Sequence, residues 1–273
     1  MKIIILVDNH AGEGLVAEHG LSLWIEIGDQ CILFDTGQGS ALEHNARALG
    51  VDLSRTDLLV LSHGHFDHTG AIPHVLQQAP NADVYCHPGI GVRRYSIRDE
   101  IAEPIQIPPA CLDAINQLPA QRLHWIQEPL PPSDSLGITG PVPRETAYED
   151  TGGPFFLDPA GKNADPIEDD LALWIHTDDG VVVCAGCSHA GLINTLNYIR
   201  RLSGVSKFRA VIGGFHLVNA SDQRLQQSIE ALQQLELEMI VPCHCTGDAA
   251  VTALREALGE RAIQGASGMI FDF

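Results

Sequence analysis

Ser62-His63-Gly64-His65-Phe66-Asp67-His68-Thr69-Gly70 places four metal-competent side chains within six positions. It follows an apolar strand-like stretch, Leu58 to Leu61, and precedes a helical one, so it must form a strand-to-helix turn. Imidazoles at i and i+2 of an extended backbone point the same way and can share one ion. The carboxylate of Asp67 and the imidazole of His68, where the chain turns into the helix, can reach a second ion. Histidines scattered on an active-site loop without metal are the plainer alternative, and the density of the run argues against it.

Periodicity yields two βαβ-like halves. The first has strand-like segments near 2–7, 21–27, 31–35, 57–61 and 83–86 and helical patterns near 40–49 and 70–78. The second has strand-like segments near 171–176, 181–185, 209–213 and 238–242, with helical patterns near 190–202, 222–235 and 247–257. Asp178-Asp179-Gly180 between two apolar runs reads as a hairpin turn. The expected fold is α/β, an αββα sandwich of two mixed sheets packed face to face with helices outside. One domain should span 1–273, with a proline-rich lid or insertion at about 88–168. Residues 104–166 hold 12 of the 16 prolines, so regular structure there should be short. Trp125, Phe155, Phe156 and Leu157 could pack over a bound ligand, or merely glue the loop down.

Sixteen basic against 35 acidic residues leave a formal charge of −19, which opposes nucleic acid and anionic membrane partners. A small anionic substrate remains compatible, because two bound cations supply local positive charge. The apolar start, Lys2 to Val7, is too short for a signal-peptide core or a membrane span. With seven cysteines and no export signal, a cytoplasmic protein with reduced thiols is expected, and a homo-oligomer is compatible.

Further motifs extend the pattern. Ile32-Leu33-Phe34-Asp35-Thr36-Gly37 lies upstream, and Gly186-Cys187-Ser188-His189-Ala190-Gly191, Gly213-Gly214-Phe215-His216-Leu217 and Pro242-Cys243-His244-Cys245-Thr246-Gly247 lie downstream. With the histidine run, these resemble the metallo-β-lactamase-fold hydrolases over nearly the whole length. Together with Glu18-His19-Gly20-Leu21-Ser22 they resemble the branch of dihydropterin ribofuranosylaminobenzene phosphate synthase-like proteins. The resemblance implies two divalent metal ions, zinc first with manganese or iron as alternatives. It assigns His63, His65 and His189 to one ion and Asp67, His68 and His244 to the other.

The chain departs from the superfamily pattern at one place. Cys187 stands where many members carry a bridging Asp, so either His189 fills that role or Cys187 is an additional ligand. His176 reads as a partly exposed strand histidine. His216 is a further ligand, a substrate-facing acid, or a turn cap. Asp35 reads as a buried carboxylate that holds an imidazole N–H and fixes the ligand tautomer. Cys184-x-x-Cys187 and Cys243-x-Cys245 could be a zinc knuckle or redox pair, but small buried hydrophobes is the default reading.

No Gly-x-Ser-x-Gly elbow, Walker loop or dinucleotide fingerprint follows a strand, so the histidines carry the chemistry. Two cations about 3.5–4 Å apart would turn a bridging water into hydroxide, with Asp67 orienting it. The expected activity is hydrolysis of a small anionic ester, phosphodiesters first. Arg144, Arg94 and His19 are candidate substrate contacts, arginine suiting phosphate; the plain alternative pairs the arginines with nearby acids. Two other readings stand: a pterin-pathway synthase, and a metal-loaded effector-binding protein with little turnover.

Overall fold

The apolar run Lys2–Val7 forms β1, and Ser22–Ile27 and Gln30–Phe34 continue as β2 and β3. Leu58–Val60 and Asp83–Cys86 form β4 and β5. The computed structural model describes residues 1–131 and 133–273. Among these, the contacts divide the chain into two units, residues 1–126 with 154–165 and 266–273, and residues 127–153 with 166–265.

In the first unit seven strands form a mixed sheet, in the order Ile270–Asp272, β1, β2, β3, β4, β5, Leu123–Trp125. β1 to β3 are antiparallel, whereas β3, β4, β5 and the Leu123 strand run parallel. The helices α1 (Leu42–Ala48), α2 (Phe66–Thr69) and α3 (Ile72–Gln78) come from the βα connections. Ile4, Leu6, Trp24, Leu33, Leu59, Ile72 and Val75 share one buried core. Each such side chain contributes about 1.5–3 kcal/mol on removal from water.

The second unit holds β6 (Ala172–Thr177), β7 (Gly180–Ala185), β8 (Lys207–Gly214) and β9 (Ile240–Cys243). β6 and β7 form the expected hairpin, with Thr177 paired to Gly180. β8 runs parallel to β7 on one side and to β9 on the other. The helices α4 (Leu192–Ser203), α5 (Asp222–Gln233) and α6 (Asp248–Leu258) supply Leu196, Ile199, Ile229, Leu232 and Leu254 to its core.

The proline-rich stretch contributes short elements to both units: a hairpin (Tyr95–Arg98 with Ile101–Pro104), a helix (Pro109–Asn116) and an edge strand (Leu136–Ile138). Periodicity missed all three because each spans too few residues to show a period. Among the described residues, no helix is long and apolar enough to cross a membrane.

Candidate metal centre

β4 ends at Val60, and the chain crosses the sheet edge before α2 begins at Phe66. Gly64 is required by crowding: a Cβ there would stand 2.1 Å from the Ile90 carbonyl oxygen. The turn is held by Phe66 N–H donating to Ile105 O and Thr69 Oγ1 donating to His65 O. His63, His65, Asp67 and His68 are all buried. His63 Nε2 and His65 Nδ1 lie 2.9 Å apart, and the His63 and His68 rings are 4.3 Å apart. Phe155 packs against the His65 ring at 5.4 Å.

Asp35, fully buried just after β3 and at φ 60°, organises the protons of this run. Its Oδ1 accepts from the Ser62 backbone N–H and its Oδ2 from the Ser62 hydroxyl, both at 2.7 Å. The hydroxyl has one proton, given to Asp35, so its oxygen must accept from His63 Nδ1–H at 2.8 Å. His68 Nδ1–H donates to Asp35 Oδ2 at 2.7 Å. In the neutral rings, the lone pairs of His63 and His68 therefore reside on Nε2, the form a metal needs. His19, with its side chain 56% exposed, sets Nε2 3.2 Å from Asp67 Oδ2. Beside it, Glu18 accepts the backbone N–H groups of Gln38, Gly39, Ser40 and Ala41, fixing the loop into α1.

In the second unit, β7, β8 and β9 each end in a turn bearing one candidate histidine. Ser188, His216 and His244 there adopt positive φ, at 53°, 42° and 47°. Non-glycine residues held in this region cost energy and concentrate at functional sites. His189 is fully buried, and its Nδ1–H donates to the Thr151 carbonyl at 2.8 Å, again leaving the lone pair on Nε2. The His216 ring lies 4.6 Å from that of His189.

Residues 144–153 form a strap over this turn. Arg144 donates to the carbonyls of His189 and Pro166, and Asn194 Oδ1 accepts from Glu145 N and Thr146 N. Glu149 accepts the Ile193 and Asn194 N–H groups at 2.8 and 2.9 Å, capping α4. Burial pushes the Glu149 carboxyl above its usual range despite these bonds. Asp150 pairs with Arg224, which is 2% exposed. The strap was missed because nothing in its composition announces a partner some forty residues on.

Among the described residues, the groups of donors close enough to share an ion draw on His19, His63, Asp67 and His68 in the first unit and on Cys187, His189 and His244 in the second; His65 stands outside these groups but sets Nδ1 2.9 Å from His63 Nε2. Arg94 is buried and ion-paired with Asp165 at 2.9 Å, while the Arg144 guanidinium is committed to two carbonyls. His176 is half-buried in β6, and Cys184 is fully buried with its thiol pushed up to about 12 by burial.

These donors fit a metal. At metal–nitrogen bonds of about 2.0–2.1 Å, two ligands of one ion stand about 2.9–3.4 Å apart, a range that includes the His63–His65 separation. Three imidazoles, His63, His68 and His189, have their Nδ1 protons committed to Ser62, Asp35 and Thr151, the tautomer that carries its lone pair on Nε2.

The sequence profile of the metallo-beta-lactamase superfamily matches residues 16–244. An uncharacterised protein of Methanocaldococcus jannaschii is 34% identical over 263 residues, covering 93% of this chain and 94% of its own. From the same organism, 7,8-dihydropterin-6-methyl-4-(β-D-ribofuranosyl)-aminobenzene-5′-phosphate synthase is 28% identical, covering 95% of this chain and 92% of its own. The crystal structure of a metal-dependent hydrolase of the β-lactamase superfamily superposes with a TM-score of 0.84 at 27% identity, covering 100% of this chain and 99% of that one.

Proposed function

This chain belongs to the metallo-β-lactamase superfamily, and from that membership we propose that it is a dinuclear metal-dependent hydrolase of a small anionic ester, phosphodiesters foremost. The observation that carries the reading is the Asp35–Ser62–His63 and Asp35–His68 network, which presents imidazole lone pairs in the way a cation requires. His63, His65 and His189 would hold one ion, and Asp67, His68 and His244 the other, with Cys187 as an additional donor. When bound, the metals, zinc first and manganese or iron as alternatives, supply Lewis-acid polarisation of a phosphoryl or carbonyl oxygen and an activated water.

The chain's own residues do the rest. Asp35 and Ser62 hold the first histidine pair in register, and the strap holds His189 through Thr151 and Arg144. Asp67 would be oriented by His19, whose Nε2 lies 3.2 Å from its Oδ2, and the exposed His19 ring would meet substrate. His216, whose ring lies 4.6 Å from that of His189, would pass a proton to a departing oxygen. We place its work in the cytoplasm, where its seven cysteines would be kept reduced.

The test is a panel of phosphodiesters, carboxyl esters and lactones, assayed with zinc, manganese or no added metal. Metal-dependent turnover of a phosphodiester supports the reading; inactivity on every ester by metal-loaded protein refutes it. A second reading is favoured by the named relative at 28% identity, a synthase acting in a pterin pathway. Condensation of a dihydropterin with a ribofuranosylaminobenzene phosphate, detected as product, would support that reading instead. Zinc-loaded protein that binds an effector without turnover would point to a third role.

A further inference from the structure

The second unit contains a thiol pair that neither cysteine motif predicts. Cys187 lies in the turn after β7 and Cys245 in the turn after β9, strands separated by β8. Their sulfurs are 3.3 Å apart, and both residues are buried, at 2% and 7% exposure. The gap between them is kept open by Gly214 at the end of β8. A Cβ at that position would stand 2.6 Å from Cys245 Sγ and 3.4 Å from Cys187 Cα.

Each turn is fixed independently. Gly214 N–H donates to Gly186 O at 3.0 Å and Ser188 Oγ to Gly214 O at 2.9 Å, which seats Cys187. Thr246 Oγ1 donates to Cys243 O at 2.7 Å, and the His216 N–H donates to Cys245 Sγ at 3.3 Å, which seats Cys245. The other motif cysteines are turned elsewhere: Cys184 is sealed in β7, and the Cys243 thiol donates to Val241 O.

We propose that Cys187 and Cys245 form a thiol–disulfide modification site whose co-substrate is a hydroperoxide. A disulfide needs the sulfurs to close by only about 1.3 Å, to the usual bond of about 2.0 Å. One sulfur attacks the outer oxygen of the hydroperoxide, whose O–O bond breaks, giving a sulfenic acid and the corresponding alcohol, or water where the oxidant is hydrogen peroxide. The second sulfur then attacks the first; the S–O bond breaks, the S–S bond forms, and a water leaves. Two electrons and two protons pass from the thiols to the peroxide, so the balance closes. Because Cys187 is two residues from His189 and Cys245 adjoins His244, the disulfide removes a soft donor and tethers two ligand turns. This consequence rests on the metal reading above; the disulfide itself does not.

The experiment treats metal-free full-length protein with hydrogen peroxide, blocks remaining thiols by alkylation, and reads intact mass and linked peptides. The expected result is loss of two hydrogens, a link joining the Cys187 and Cys245 peptides, and reversal by dithiothreitol. C187S and C245S should each abolish the link, and C184S should retain it, with circular dichroism confirming that all three fold. A link between other cysteines, or only sulfinic and sulfonic products on single thiols, would overturn the proposal. In a second arm, zinc affinity of oxidised protein should fall roughly tenfold or more against reduced protein. Unchanged affinity in linked protein would overturn the coupling to the metal site. Protein that binds no zinc in either state would overturn the metal reading while leaving the peptide result to judge the disulfide.

Discussion

Asp35→Asn changes one atom yet should invert the proton order of the candidate site. The Ser62 backbone N–H is a fixed donor 2.7 Å from Oδ1, so the amide oxygen must occupy that position. The amide NH2 then replaces Oδ2, where Asp35 now accepts from Ser62 Oγ and His68 Nδ1. An NH2 there donates, so the Ser62 hydroxyl turns its proton toward His63 Nδ1, and both histidines move their protons to Nε2. The nitrogens assigned to the metals thereby lose their lone pairs. Loss of one such outer partner costs about 10–100-fold in metal affinity, and two ligands are struck here, so about 100-fold is expected, or roughly 2.7 kcal/mol. Three charge-assisted bonds become neutral, so metal-free protein should also lose about 1–3 kcal/mol of stability. Zinc affinity is read by competition with a chromophoric chelator, and the tautomers by long-range proton–nitrogen NMR of the histidine rings. Zinc binding within about threefold of wild type, with His63 and His68 still protonated on Nδ1, would refute the reasoning.

Four further outcomes are expected. Asp150→Ala should lower stability by about 1–2 kcal/mol in urea melts, since Arg224 loses its carboxylate; the figure is held low because Asp150 is 69% exposed. Arg144→Ala should weaken zinc binding as well as raise KM for a phosphodiester, because its donors hold the His189 turn; a raised KM at unchanged affinity would assign it to substrate alone. Gly214→Ala should cost about 1–3 kcal/mol by driving a methyl group onto the Gly186 carbonyl oxygen and Cys245 Sγ, measured by thermal melting. Glu149 binds its proton more tightly in the folded state, so its contribution is fullest below its ordinary value of about 4.5 and is lost as pH rises through the folded value. The stability gap between wild type and Glu149→Gln should accordingly shrink from pH 4.5 to pH 7.5, and a widening gap would reverse that sign.

The central strands, most helices and the histidine run were legible because each is written in local chemistry. Leu58 to Leu61 announces a strand, the following residues a cluster of candidate ligands, and Asp178-Asp179 a hairpin. Asp35 was legible as a buried carboxylate, but its use of Ser62 to order the His63 proton was not, since that depends on one hydroxyl's geometry. Arg94 and Arg144 are candidate phosphate contacts from arginine's chemistry and their place in the chain; their partners in the fold, Asp165 and two carbonyls, lie in the proline-rich stretch and beyond and could not be read from sequence. The Cys187–Cys245 approach was invisible because the sequence pairs each cysteine with a nearer neighbour, whereas the sheet order brings the distant two together.

The most direct test of the central claim is metal counting coupled to turnover. Protein purified without added metal is measured by inductively coupled plasma mass spectrometry and assayed on a phosphodiester, before and after chelation. The account predicts two divalent ions per chain and activity that falls on chelation and returns with zinc or manganese. A chain that takes up no divalent ion at micromolar concentration, or hydrolyses the ester equally well without one, would contradict it.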